Sequence, residues 1–83
     1  MTRQEVNVQL DSSLETRPVA FLVQLASQFD SDIYLEVENR RVNAKSIMGI
    51  MAFNPSKGMT VNIVADGKDE KEAVRAMEQF LVC

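Results

Sequence analysis

Apolar and polar residues alternate through Val6-Asn7-Val8-Gln9-Leu10, the period of a half-buried strand. Asp11-Ser12-Ser13 is a polar turn. Pro18 then stands where a first helical turn tolerates a missing N–H, with Thr16 placed to cap it. Val19, Leu22, Val23, Ala26 and Phe29 fall on one helical face, and Asp30-Ser31-Asp32 ends that helix. Alternation returns in Ile33-Tyr34-Leu35-Glu36-Val37. A second short strand over Arg40–Val42 makes a hairpin, and Asn39 is the residue expected to take its left-handed turn conformation.

After the polar Asn43–Ser46 loop, Ile47-Met48-Gly49-Ile50-Met51-Ala52-Phe53 reads as a brief helix capped by Ser46 and stopped by Asn54-Pro55. Met59 to Ala65 is a strand with Val61, Ile63 and Ala65 on one face. Asp69-x-x-Glu72 has the spacing of a capping box, with Asp as acceptor, and opens a last helix that buries Ala73, Val74, Met77, Phe80 and Leu81. The order is β-α-β-β-α-β-α. Alternating strands fit an open antiparallel sheet with one bare face, so the expected fold is α+β, with the helices packed on the other face.

With 83 residues, the chain is expected to form a single domain over 1–83 with one thin core. A net charge of −3 argues against direct nucleic-acid binding, which needs a basic footprint. No apolar run approaches the roughly 20 residues of a membrane span, and no signal peptide opens the sequence, so a cytoplasmic protein is expected. Histidine is absent and Cys83 is the sole cysteine. This composition excludes imidazole acid–base chemistry and Ser-His-Asp or Cys-His sets within this chain. The carboxylate groups Asp30/Asp32 and Asp69/Glu70/Glu72 sit at helix ends and turns, where solvated caps explain them better than metal binding. Neither an enzyme, a metal site nor a cofactor is expected.

Surplus apolar surface is more informative. Phe21 lies far around the first helix from its core face, flanked by Ala20 and Gln24. So brief a second helix cannot bury Ile47, Met48, Ile50 and Met51 together, and two of these side chains are expected to remain exposed. If the two helices lie side by side, their patches form one docking site. Ser46 has two readings from the residues alone. One is a plain cap; the other is a switch, in which a phosphate adds about −1.5 to −2 charges near Arg17 and Lys45.

Arg17-Pro18, together with Asn43-Ala44-Lys45-Ser46-Ile47-Met48-Gly49 at the expected distance from it, resembles the HPr family of phosphocarrier proteins of the bacterial phosphotransferase system. The resemblance covers essentially the whole chain and implies the family's open-faced β-sandwich: a four-stranded antiparallel sheet with three helices on one face. HPr carriers have a histidine two residues before the arginine, in a Gly-x-His-Ala-Arg-Pro pattern. This chain has Ser13-Leu14-Glu15-Thr16-Arg17-Pro18, so Glu15 occupies that degenerate phosphocarrier position.

What the resemblance implies is a regulator from the branch of the family that lacks the active histidine. Ser46 would be phosphorylated by HPr kinase/phosphorylase, and the product would act as corepressor of catabolite control protein A. Arg17, Ala20, Phe21, Gln24, Lys45, Ile47, Met48 and Met51 would meet the partner. A competing expectation is a decoy that docks on enzyme I or enzyme II components without passing phosphate, with the Glu15 charge holding the site. A homodimer formed by exchange of the first strand is neither required nor excluded by the sequence.

Overall fold

The computed structural model describes residues 1–9, 17–53 and 58–82, with the backbone alone for 17–19. The order is β1 (Thr2–Asn7), α1 (Arg17–Ser27), β2 (Asp32–Val37), β3 (Arg40–Asn43), α2 (Ile47–Phe53), β4 (Thr60–Asp66) and α3 (Glu70–Leu81). The four strands form one antiparallel sheet in the order β1-β4-β2-β3. Inward-facing Val6, Ile33, Leu35, Val61, Ile63 and Ala65 meet Leu22, Ala26, Ile50, Phe53, Met77 and Leu81 in a single core. The helices therefore cover one face, and the other carries polar side chains such as Arg3, Glu36 and Arg41, linked as an ion-pair chain. No helix among the described residues is long and apolar enough to cross a membrane.

Several local expectations are corrected. The first strand begins at Thr2 rather than at Val6, and its regular part ends at Asn7. Thr2-Arg3-Gln4-Glu5 has no apolar alternation, but its backbone pairs with β4 from Thr2 opposite Ala65 to Asn7 opposite Thr60. Val8 remains buried beyond the strand, its N–H donating to the Met59 carbonyl at 2.8 Å. Leu10, the Asp11–Ser13 turn, the Thr16 cap and the Asn54-Pro55 stop lie outside the described residues. In the β2–β3 turn the positive φ falls on Glu38 (56°), not on Asn39. Phe29 lies past the end of α1, half-buried against the core, with its N–H on the Ala26 carbonyl at 3.3 Å.

The Asp69-x-x-Glu72 capping box does not form. Asp69 precedes α3 but makes no side-chain cap bond. Its carboxylate accepts instead from the Asp30 N–H at 2.9 Å, the Ser31 N–H at 3.0 Å and the Ser31 hydroxyl, joining the start of α3 to the turn before β2. Glu70 serves the helix entrance, accepting the Gly67 N–H at 3.1 Å.

Candidate functional site

The loop before α2 is built from short local bonds. The Asn43 side-chain oxygen accepts the Lys45 N–H at 2.8 Å, and the Asn43 carbonyl accepts the Ser46 N–H at 3.0 Å. Ala44 between them is buried, with its N–H on the Ile33 carbonyl of β2 at 2.8 Å. Such an Asx turn tied to a central strand fixes where the next helix starts. Ser46 is the cap: its Oγ accepts the Gly49 N–H at 3.2 Å, and its carbonyl accepts the Ile50 N–H at 3.0 Å. The residue is half-buried.

From this start α2 splits its apolar residues between two faces. Ile50 and Phe53 enter the core, and the Arg40 guanidinium covers the Phe53 ring at 5.6 Å from its centroid. Ile47, Met48 and Met51 point outward, with Met48 79% exposed. Three side chains thus stay exposed rather than the two expected, since of these four only Ile50 is buried.

α1 packs against both α2 and α3. It contributes Phe21, 61% exposed, with exposed Gln24 and half-buried Ala20 on the same helix. Phe21 is not a solitary surface ring: it stacks on Phe80 of α3, with centroids 5.8 Å apart and planes within 5°. Nothing in the apolar pattern pairs these residues: Phe80, expected on the buried face of α3, is only half-buried there and joins the patch by this stack. Arg17 begins α1, but its side chain and the whole of Glu15 lie outside the described residues. Lys45 turns away from the role of a loose counter-charge. Its Nζ donates to the Phe29 carbonyl at 2.7 Å, supplying a cation at the exit of α1, whose last turn has no basic residue of its own.

The site is thus an outward apolar strip on α2 beside a half-buried, hydrogen-bonded serine, with a second apolar ring on the neighbouring α1. Among the described residues there is no cluster of three or more potential metal-ligating side chains. The arrangement sets a capping hydroxyl beside exposed apolar side chains.

The family model described as "PTS HPr component phosphorylation site" matches residues 2–82. The chain belongs to the HPr family. Among curated relatives it is 43% identical to the HPr-like protein Crh of Bacillus subtilis, over 98% of this chain and 95% of that one. Among solved structures, an HPr from Thermoanaerobacter tengcongensis superposes with a TM-score of 0.90 at 42% identity, covering 98% and 91% of the two chains. Crh of Bacillus subtilis, whose crystal structure is described as a domain-swapped, intertwined dimer, superposes at 0.76 with 43% identity, covering 98% and 93%. The HPr fold with its open sheet face is therefore that expected from the Arg17-Pro18 and Ser46 stretches, and likeness to Crh accompanies the absence of histidine.

Proposed function

We propose that this HPr-family protein is a cytoplasmic regulator of carbon catabolite repression rather than a phosphohistidine carrier. In this reading HPr kinase/phosphorylase phosphorylates Ser46, and the product acts as corepressor of catabolite control protein A. The observation that carries it is the placement of a capping Ser46 directly beside the exposed Ile47, Met48 and Met51, in a Crh-like chain without histidine. A phosphate on Ser46 would supply about −1.5 to −2 charges for basic groups of the repressor. The apolar strip, with Phe21 and Gln24 of α1, would form the desolvated centre of a small interface. Binding then moves the repressor toward its DNA-binding state by the difference in affinity between its two states, and the protein itself contacts no DNA.

The carrier role is set aside on chemical grounds. A carboxylate such as Glu15 would form a mixed anhydride with phosphate, a different species from the phosphohistidine that the family's carriers pass on. Homodimerisation belongs to the same proposal. β1 is an edge strand paired only with β4, and the similar Crh exchanges a part of its chain in a dimer.

Intact mass after two separate incubations tests the reading, one with ATP and HPr kinase/phosphorylase, the other with phosphoenolpyruvate and enzyme I. One added phosphate in the first alone, abolished by Ser46→Ala, is the expected result. No phosphate from ATP would overturn the Ser46 assignment and favour a decoy of the phosphotransferase system. A phosphate from phosphoenolpyruvate would restore the carrier.

A further inference from the structure

Gly49 stands inside α2, one turn beyond Ser46, where glycine weakens a helix relative to alanine. Backbone conformation does not require it, since the positive-φ glycines among the described residues are Gly58 and Gly67. Core packing does not require it either. A Cβ built on Gly49 would come closest to Ser46 Oγ at 3.3 Å and Ser46 Cβ at 3.4 Å; the next atom, the Asn43 carbonyl oxygen, is 3.8 Å away. The space left by the missing side chain is thus the space around one hydroxyl. The Gly49 N–H also donates to that hydroxyl at 3.2 Å.

We propose that Gly49 is a positioning residue for phosphorylation of Ser46, holding the hydroxyl through its N–H while leaving its surroundings open to the incoming phosphoryl group. The proposal rests on the assignment of Ser46 as the phosphorylated residue. In the transfer, Ser46 Oγ attacks the γ-phosphorus of ATP. The Oγ–P bond forms as the bond from that phosphorus to the β,γ-bridging oxygen breaks. ADP leaves with the electron pair, and the hydroxyl proton passes to a base of the kinase. Attack in line needs Oγ roughly 3–3.5 Å from phosphorus with its lone pair aligned. A methyl group touching Oγ on the Gly49 side would occupy part of the volume that the phosphoryl oxygens must enter, or would turn the Ser46 side chain off its N–H donor.

The test compares steady-state phosphorylation by ATP and the kinase for the wild type, Gly49→Ala and Ala52→Gly, with helix content followed by circular dichroism. Ala52 is exposed in the same helix, and its replacement by glycine weakens the helix away from Ser46. Gly49→Ala is expected to keep or raise helix content while kcat falls about tenfold or more and KM for the protein substrate changes less than about twofold. Ala52→Gly is expected to lose helix content with kcat unchanged. If the wild type takes up phosphate at Ser46 and Gly49→Ala does so at the same rate, the positioning role is overturned and the Ser46 assignment stands. Rates that follow helix content in both variants also overturn it, in favour of a purely structural role. A wild type that takes no phosphate removes the Ser46 assignment and the positioning role with it.

Discussion

Gly67 shows how much can depend on one missing side chain. Its φ is 156°, and a Cβ there would lie 2.6 Å from Ser31 Oγ and 2.7 Å from Ser31 Cα, a collision with backbone that no side-chain rotation relieves. That close approach accompanies the reach of Asp69 to the Asp30 and Ser31 N–H groups and the buried Ser31 hydroxyl. The Ser31 hydroxyl, followed by the Asp30 N–H, holds the Asp69 carboxyl below its ordinary range. Gly67→Ala is therefore expected to destabilise the protein by about 1–3 kcal/mol, as overpacking does, read as a lower urea midpoint. An unchanged midpoint would mean that the two backbones separate at no cost.

At the scale of the element, α2 divides its work by face. Ile50→Ala opens a cavity beneath a fully buried side chain and is expected to cost about 2–5 kcal/mol in a denaturant titration. Met48→Ala on the opposite face is expected to change stability by no more than about 0.5 kcal/mol. Its effect would appear in titrations of the seryl-phosphorylated protein against the repressor, as weakened affinity; full affinity would remove Met48 from the interface. This division was legible in the sequence because crowding of apolar residues on so brief a helix leaves some with nowhere to go. The β2, β4 and α3 elements were legible for a related reason, since each sends an evenly spaced set of apolar residues into the core, although β4 also buries Val64 on its other face.

Other features depend on partners distant in sequence, which no local pattern reports. Thr2–Glu5 is a strand because β4 lies beside it. Asp69 has the spacing of a cap whether its carboxylate serves its own helix or a turn elsewhere in the fold. The stack of Phe21 on Phe80 is equally silent, as each ring reads only as an apolar residue on its own helix. Ser46, by contrast, caps a helix that starts within its own segment, and the expected cap forms there, with the Gly49 N–H as its donor.

Across the whole molecule, the entry of β1 is fastened to the entry of α3. The Glu70 carboxylate accepts from the Thr2 hydroxyl at 2.5 Å and the Gly67 N–H at 3.1 Å, and lies 3.0 Å from the Met1 amine. These contacts, led by the Thr2 hydroxyl, draw its pKa from an ordinary 4.5 down to about 2. A carboxyl with a depressed folded pKa stabilises fully above its unfolded value and loses that contribution as pH falls toward the folded one. The difference in thermal midpoint between wild type and Glu70→Gln is thus expected to be greatest near neutrality, to shrink below pH 4.5 and to close near pH 2. A difference that stays constant across that range would show that ionisation of Glu70 is not the source.

The strand order has a consequence in time. Of the ladders in the sheet, only β2–β3 joins strands consecutive in the chain; β1 must wait for β4, with Thr2 opposite Ala65. During synthesis at about 5–20 residues per second, the opening strand is made roughly 3–12 s before the residues that complete its ladder. β1 thus emerges well before the strand it pairs with, and until then its exposed backbone groups are met by water or by another chain.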